Sequence, residues 1–294
     1  MKQENFSYKL ANGVIYTVLS IVGIITLLPF LYVIVVSFTD PSEYISKPLI
    51  IFPEKWSLSS YEYILSTKMF TRSLGVSAFL AIVGSAFSII ITSALSYALS
   101  RKRFLGKRFF LLAILLTMLF NPGMIPNYML VHSLGLIDTV WSLILPVLTS
   151  AWYVFLMKNF YQEIPDELEE AAKIDGCNDI GVFIRIMLPV SLPAIAAFGL
   201  FFAVGFWNTY FNGVLYINDD SLRPMQVVLQ MMLIQASTSV ADPAVAAMLQ
   251  SEQMIPPETI KMAAVVIASV PIIMVYPFLQ KYFVKGMMVG SVKG

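Results

Sequence analysis

Residues Glu163–Pro193 read EIPDELEEAAKIDGCNDIGVFIRIMLPVSLP. This segment predicts two short helices joined by a glycine turn. Pro165 suits the first turn of a helix, the acidic residues after it complement the helix dipole, and Gly176 fits the position just past the helix end. A second helix can begin with Asn178 or Asp179 as its N-cap. We therefore expect a helix–turn–helix elbow with an acidic rim and an alanine-lined face.

The chain around the elbow is strongly apolar. Of its 294 residues, 58% are hydrophobic and only 13% are charged, whereas soluble domains carry about 25% charged residues. A bilayer core about 30 Å thick is crossed by a helix of ~20 mostly apolar residues, and six stretches without a charged residue meet that need. We place six transmembrane helices at about residues 13–38, 73–100, 109–132, 140–157, 187–212 and 262–284, the last of which extends beyond the charge-free stretch Met262–Gln280.

These spans predict an all-α integral membrane protein with a single transmembrane domain, residues 1–294. The elbow lies in the loop 158–188 between spans 4 and 5. Asn121-Pro122-Gly123 breaks the third apolar stretch, and Ala241–Gln250 is expected to form a short surface helix between spans 5 and 6. Helices are expected because they satisfy every backbone polar group where no water is present.

The basic residues indicate the orientation. The short loop Arg101–Arg108 contains five Lys or Arg residues, and short cytoplasmic loops show the positive-inside bias most strongly. This places both termini and the elbow in the cytoplasm, in a multi-pass protein. The first span is longer than the 7–15-residue core of a signal peptide, so we expect it to be retained as a helix.

The elbow resembles the EAA motif of permease subunits of binding-protein-dependent ABC importers, and the spacing is kept without a gap. The residues that carry this resemblance are Glu170-Ala171-Ala172, Asp175-Gly176, Leu188-Pro189 and Pro193. The ending Tyr276–Gly286 is similar to that of carbohydrate-importer permeases. Together with Trp207-Asn208 and Tyr216–Asp219 it looks like the branch that serves oligosaccharides and polysaccharide fragments.

This resemblance implies a type I ABC importer permease fold, in which the elbow is a coupling helix that docks into a cleft of an ATPase subunit. It implies a heterodimer with a homologous second permease, two ATPase subunits and an extracytoplasmic solute-binding protein in the bacterial cytoplasmic membrane. ATP and Mg²⁺ belong to the ATPase subunits in such a system, so this chain is expected to have no cofactor and no catalytic residue. The coupling residues it points to are Glu170, Ala171, Ala172, Asp175 and Gly176.

Each coupling residue has a physical rationale. Ala171 and Ala172 are small, which allows the helix to approach a groove closely, and Glu170 can form a charge-assisted hydrogen bond with a cationic partner. Gly176 permits the left-handed conformation that reverses the chain.

The fifth span contains the candidate substrate path. Sugars need aromatic faces for stacking and amides for hydrogen bonding, and two Asn residues within a lipid-facing span are costly unless they face a partner or a wet cavity. The candidates are Trp207, Asn208, Tyr210 and Asn212, with Asn121, Asn127 and Tyr128 as a second group. An aromatic belt at the membrane interface is the alternative interpretation of the same residues.

Several function classes lack the residues they need. The sequence has no GxxxxGK[ST] phosphate loop, no metal-ligand cluster and a single histidine, and its net charge of +1 does not suggest nucleic acid as a partner. A permease of the same mechanism for a non-sugar solute remains an alternative. A secondary transporter is expected to have intramembrane charges or inverted repeats, and neither is visible. The residues do not identify the sugar.

Overall fold

The computed structural model describes residues 6–47, 49–241 and 255–290. In these ranges the chain is helical, apart from loops and an isolated antiparallel bridge between Thr39 and Trp56. The helices are α1 (Phe6–Ser37), α2 (Pro41–Ser46), α3 (Ser59–Ser66), α4 (Lys68–Phe79), α5 (Ser85–Ser100), α6 (Lys107–Leu119), α7 (Met124–Ser133), α8 (Trp141–Ile144), α9 (Ala151–Glu163), α10 (Asp166–Ile174), α11 (Asp179–Val182), α12 (Leu188–Val190), α13 (Leu192–Trp207), α14 (Phe211–Tyr216), α15 (Met225–Ala241) and α16 (Pro257–Gly290). The surface helix predicted at Ala241–Gln250 lies outside the described residues, except for Ala241, which ends α15.

Three helical segments are long and apolar enough to cross a membrane. They are Asn12–Ser37 in α1, Lys68–Ser100, which joins α4 to α5 through a π-helical turn, and Pro257–Val275 in α16. Three further candidates are bent helix pairs: α6 with α7 at 118°, α8 with α9 at 55°, and the α11–α12 segment with α13 at 82°. By length and composition, the described residues therefore provide three crossings, or up to six if each bent pair is one span.

The bent pairs correct the prediction that residues 140–157 and 187–212 are continuous helices, whereas the break between α6 and α7 is the one that Asn121-Pro122-Gly123 predicts within residues 109–132. The breaks lie at 120–123, at 148–150 just after Pro146, and at Ser191 between Pro189 and Pro193. Proline lacks a backbone N–H, and its ring clashes with the preceding turn, so it bends or ends a helix. The absence of charged residues predicts that a stretch can lie in lipid, but it does not predict whether that stretch forms one continuous helix.

The contacts divide the described residues into two compact units, one drawn from residues 1–67 and 229–269 and the other from 68–228 and 270–294. In the first unit the Glu43 carboxylate organises the segment after α1. It accepts hydrogen bonds from the backbone N–H groups of Glu54 and Lys55 and from Lys47 Nζ at 2.8–3.0 Å. These hydrogen bonds lower the pKa of Glu43 to about 2, and the largest contribution comes from the two backbone N–H groups. The carboxylate is therefore charged at neutral pH.

In the second unit, α5 packs against α9 through a row of hydroxyl groups. Ser93 Oγ lies 2.5 Å from Tyr161 Oη, and Ser96 Oγ donates to the Val154 carbonyl at 3.0 Å. Thr92 adds a 2.8 Å contact with the Thr149 hydroxyl. Small and hydroxyl-bearing residues allow helices in a bilayer to approach closely and to bond across their interface.

Two apolar clusters lie in the described part of this unit. The first cluster joins Leu80 to α8, α13 and α14, and the second cluster surrounds Tyr161 near the end of α9. Their buried members are Leu80, Val131, Leu143, Ile144, Phe202, Phe206, Tyr216 and Ile217 in the first, and Tyr97, Met157, Tyr161, Ile164, Ala172, Val182 and Met187 in the second.

Gly84 lies where α13 approaches the helix that leads into α5. A Cβ atom at Gly84 would lie 2.8 Å from the ring of Phe206, whose side chain is buried. Gly75 lies in α4, and a Cβ atom there would have no neighbour within 4 Å. Of these two glycines, only Gly84 therefore lies where the packing requires the absence of a side chain.

Replacement of Gly84 by Leu is expected to destabilise the second unit by about 1–3 kcal/mol, because the side chain overpacks the contact with Phe206. Gly75→Leu is the matched control, since both positions are helical. Thermal unfolding of the purified protein in detergent should show a lower midpoint for Gly84→Leu only. Equal midpoints for the two variants would contradict the proposed close packing.

Candidate functional site

Helix α10 ends in a glycine cap. Gly176 has φ = +83°, and its N–H donates to the Lys173 carbonyl at 3.0 Å while the Cys177 N–H donates to the Ala172 carbonyl at 2.9 Å. This pair of bonds is the Schellman arrangement, which satisfies carbonyls that the helix end leaves without partners. Gly176 therefore has a conformation that a residue with a Cβ atom adopts only with strain.

The chain continues from this cap into α11. The Asn178 side chain caps α11 by accepting a hydrogen bond from the Gly181 N–H at 2.7 Å. A π-helical turn over Phe183–Met187 then leads into α12 and on to the bend before α13. The two short helices are thus joined to the longer helix that borders the cavity described below.

The two faces of α10 differ sharply. Ala172 is 5% exposed and packs in the second cluster, whereas Glu170 and Ala171 are exposed and the side chain of Ile174 is 86% exposed. Successive residues of a helix are rotated by about 100°, so neighbouring alanines do not share one face. The expectation that Ala172 is small in order to enter a partner's groove is therefore wrong, because Ala172 is small to fit its own chain.

Glu169 is the buried acidic residue of α10, and the sequence did not single it out. Its carboxylate, which is 8% exposed, accepts from Arg101 Nη1 at 2.8 Å through Oε2. Its Oε1 lies 2.7 Å from Arg103 Nη2 and 2.6 Å from Lys173 Nζ. Three cations thus surround one buried carboxylate, which explains why this acid tolerates burial.

Arg101 uses all of its guanidinium nitrogens. Besides the bond to Glu169, its Nε donates to Ser100 Oγ at 2.9 Å and its Nη2 donates to the Tyr161 carbonyl at 2.7 Å. The guanidinium also lies 5.2 Å from the centre of the Tyr97 ring. Arg101 therefore links the end of α5, the end of α9 and the middle of α10.

Exposed ion pairs surround this centre. Lys102 donates to Asp166 at 3.1 Å, and Arg103 pairs with Asp179. We name the buried pair and these neighbours the elbow ion cluster; its members are Arg101, Lys102, Arg103, Asp166, Glu169, Lys173 and Asp179. The basic loop and the acidic helix were both visible in the sequence as cytoplasmic features, and their opposite charges were the signal that could have paired them.

A cavity of about 350 Å³ lies beside the end of α13. Its size is near the lower end of the range of about 300–1,000 Å³ for small-molecule sites. Three of the predicted path residues, Asn208, Tyr210 and Asn212, line it. The remaining lining residues are Val147, Ser150, Tyr153, Phe201, Phe202, Gly205, Phe206, Thr209 and Phe211. The lining is therefore aromatic with hydroxyl and amide groups and carries no charged side chain.

The structure does not bring Trp207 into this cavity. Trp207 is 6% exposed and borders a separate apolar groove with α4, α5 and residues 271–275. Asn208, in contrast, accepts a hydrogen bond from Gln226 Nε2 at 3.1 Å. Trp207 and Asn208 therefore do not line the same cavity, because neighbouring residues at a helix end point in different directions.

The second predicted group also lies elsewhere. Asn121 accepts a hydrogen bond from the Gly123 N–H at 3.0 Å and so stabilises the break between α6 and α7. Asn127 is exposed on α7, and Tyr128 stacks on Tyr216 with ring centres 6.2 Å apart. None of the three is among the residues that line the 350 Å³ cavity.

The loop after α14 is fastened by Asp138. Its N–H donates to the Tyr216 carbonyl at 2.9 Å, and its carboxylate accepts from the side chain and backbone of Asn218 and from the Asp219 N–H. These hydrogen bonds lower the pKa of Asp138 below its usual range, and the bond from the Asn218 side chain contributes most. Asp138 has φ = +59°, a conformation that Asp tolerates better than most residues. The clamp holds α14, which carries Asn212, in place.

Residues 89–289 match the family described as the binding-protein-dependent transport system inner membrane component. This chain belongs to that family. The chain is 45% identical to the polygalacturonan/rhamnogalacturonan transport system permease protein YtcP of Bacillus subtilis, over 97% of this chain and 99% of that protein. It is 47% identical to protein LplC of the same bacterium, over 93% of this chain and 91% of that protein.

The fold comparison agrees with the sequence comparison. A solved structure of a bacterial ABC transporter involved in the import of the acidic polysaccharide alginate contains a chain that is 29% identical to this one. The two chains superpose with a TM-score of 0.88, covering 96% of this chain and 100% of the other. Family membership confirms the resemblance shown by the elbow residues and makes this chain a membrane-embedded transport component.

The burial of Ala172 predicts a defect within this family member itself. Ala172→Trp is expected to destabilise the chain by about 1–3 kcal/mol, because the indole overpacks the second cluster. Ala171→Trp is the control, since its side chain extends into solvent. The thermal midpoint of the purified chain should fall only for Ala172→Trp. If both variants keep the parent midpoint, the assignment of Ala172 to the second cluster is wrong.

Proposed function

We propose that this chain is one permease subunit of an ATP-driven importer that carries oligosaccharides or polysaccharide fragments across the bacterial cytoplasmic membrane. The observation that supports it most strongly is the near-full-length similarity to a polygalacturonan/rhamnogalacturonan permease and to a chain of an alginate importer. The named substrates of both relatives are polymers of acidic sugars. We therefore favour fragments of plant or bacterial polysaccharides over amino acids, polyamines or phosphate.

In this proposal the chain crosses the membrane six times, with each bent helix pair as one span and both termini in the cytoplasm. The elbow ion cluster supports one part of this arrangement. Lys102, in the basic loop after α5, contacts Asp166 at the start of α10, so the loop and the elbow lie on the same side of the membrane. The basic residues of the loop favour the cytoplasmic side.

The proposed transporter contains a second, homologous permease, two ATPase subunits and an extracytoplasmic solute-binding protein. ATP and Mg²⁺ bind to the ATPase subunits, and this chain carries no cofactor. Alternating access follows if nucleotide and loaded binding protein bind the inward-facing and outward-facing states with unequal affinity, since a ligand shifts an equilibrium only through such a difference.

The exposed face of α10 is the proposed contact with the ATPase. Glu170 and Ala171 lie on this face together with the exposed side chain of Ile174, a combination of charge, close approach and apolar area that suits insertion into a groove. Asp175 and Gly176 end the helix and lead the chain into α11. Ala172 contributes from the opposite face by fixing α10 to its own chain.

Glu170→Ala is expected to reduce the ATPase stimulation produced by loaded binding protein about tenfold, which corresponds to the loss of one charge-assisted hydrogen bond. Basal ATP hydrolysis should persist. Glu163→Ala, an exposed acid on the last turn of α9, is the matched control. The measurement is ATP hydrolysis by the complete transporter in proteoliposomes, with and without loaded binding protein. Full stimulation of the Glu170→Ala transporter would contradict the docking role.

The cavity beside α13 is the proposed contact with the sugar. Tyr210 provides an aromatic face for stacking, and Asn208 and Asn212 provide amide groups for hydrogen bonds. Because no charged side chain lines the cavity, its contacts fit the hydroxyl groups and ring faces of a sugar unit rather than a carboxylate. Trp207, Asn121, Asn127 and Tyr128 are not part of this proposed contact.

Asn212→Ala is expected to lower sugar uptake roughly twofold to tenfold, the effect of losing one hydrogen bond worth about 0.5–1.5 kcal/mol. Asn127→Ala, an exposed amide outside the cavity, is the control and should transport normally. Uptake of labelled oligosaccharide into proteoliposomes is the measurement, with basal ATP hydrolysis as the check on assembly. A defect in Asn127→Ala with normal uptake in Asn212→Ala would place the sugar path elsewhere.

A further inference from the structure

The buried pair Arg101–Glu169 faces the interior of its own chain. Both side chains are 8% exposed. The hydrogen bonds and ion pairs described above join each of them to other residues of the same chain. Glu170, the next residue of α10, is exposed. Glu170 faces outward and Glu169 faces inward, so the two carboxylates have separate roles. Docking on an ATPase explains only the role of Glu170.

Helix α10 is joined to its neighbours through two backbone pivots. Ile164 and Pro165 are extended, with ψ of 127° and 134°, and separate α10 from α9. Gly176, in the left-handed region, separates it from α11. The nine residues of α10 are thus not a continuation of either neighbouring helix. The orientation of α10 depends on what its side chains contact.

Two kinds of contact hold α10, and they differ in direction dependence. Ala172 packs in the second cluster, and apolar contact is non-directional, so it allows rotation and sliding. The bond from Arg101 to Glu169 is directional, because the guanidinium is planar and its donors are fixed in a fork. That fork is also bound to Ser100 and to the Tyr161 carbonyl. A displacement of Glu169 is therefore transmitted to the residue at which α5 ends.

A purely stabilising role explains these bonds poorly. Replacement of a buried ion pair by apolar residues of similar volume is often neutral or favourable, and α10 already has an apolar anchor in Ala172. What the ion pair adds is a fixed geometry between α10 and α5. The α4–α5 segment in turn touches Phe206 through Gly84, and Phe206 lines the proposed sugar cavity.

We propose that Arg101 and Glu169 are positioning residues that make α10 and the end of α5 a single rigid body, so that force on α10 moves the span Lys68–Ser100 directly. The other route, through α11 and α12 to α13, is interrupted by an 82° bend, whereas Lys68–Ser100 has no such break. This inference rests on the proposed docking of α10 on an ATPase. It adds a direct path by which that docking reaches the membrane helices.

The first test measures rigidity in the complete transporter. Cys177→Ser removes the single cysteine, and spin labels are then placed at Leu105→Cys, in the loop after Arg101, and at Leu168→Cys, on the flank of α10. Double electron–electron resonance should give one narrow distance that is the same with and without ATP. Adding Arg101→Gln should broaden or shift that distance on ATP binding. An ATP-dependent distance with Arg101 intact would overturn the inference.

The second test measures coupling in the same transporter. Arg101→Gln and Glu169→Gln are expected to lower the sugar transported per ATP hydrolysed about tenfold, within the usual range for coupling between sites, while the ATPases still copurify. Arg108→Gln, which removes an exposed cation of the same basic stretch that is not a member of the elbow ion cluster, is the control and should be normal. Arg101→Lys should recover part of the loss, because lysine reaches Glu169 but cannot also hold the Tyr161 carbonyl. Normal transport per ATP in Arg101→Gln would overturn the inference.

A crosslink separates this inference from the proposed docking. A cysteine at Ala171, again with Cys177→Ser, should crosslink to an ATPase subunit in both the parent and the Arg101→Gln transporter. A crosslink together with normal coupling in Arg101→Gln refutes only the rigid link. Absence of the crosslink in the parent refutes the docking of α10 on which the link depends. If Arg101→Gln does not assemble, the spin-label distance in Arg101→Lys, expected to broaden with ATP, decides the same question.

Discussion

The hydrocarbon of a bilayer offers no hydrogen-bond partners, so each backbone N–H and C=O group that enters it must be satisfied by the protein. Most of the described chain meets this constraint by forming helices. Where a helix breaks, the freed groups find local partners. The Asn121 side chain accepts from the Gly123 N–H, Ser150 Oγ accepts from the Tyr153 N–H, and the Ser191 N–H donates to the Met187 carbonyl. The three bends are thus tolerated because a nearby side chain or carbonyl accepts a hydrogen bond from the backbone at each of them.

The hydrocarbon of the bilayer also removes the usual hydrophobic attraction between helices, because lipid tails are as apolar as the helix side chains. Helix α5 instead contacts α9 through hydroxyl side chains. Just before α5, Gly84 lacks a side chain and so leaves room for the ring of Phe206. Charge is concentrated where α5 ends, in the elbow ion cluster. One segment therefore borders both proposed functional regions of the second unit, with the coupling helix at its end and the cavity-lining helix along its side.

Local sequence was sufficient to predict two breaks in the helices. The helix end at Gly176 follows from the glycine and from the acidic start of α10, and the break at Asn121-Pro122-Gly123 follows from its turn residues. The breaks near Leu148 and Ser191 were not predicted, because a proline within an apolar stretch bends one helix and is tolerated in another. The inward face of α10 was also misjudged, since the choice between Ala171 and Ala172 depends on which neighbour α10 packs against.

The sequence by itself determined that this is a helical membrane protein and that it belongs to a permease family, because hydropathy and motif spacing are properties of short windows of the chain. Only the tertiary structure decided that Glu169 rather than Glu170 is buried, that it binds Arg101, and that Asn208 and Asn212 share a cavity from which Trp207 is separated. Arg101 and Glu169 are 68 positions apart. Partners at such a distance are selected by the packing of whole helices, and no local pattern encodes which two side chains meet.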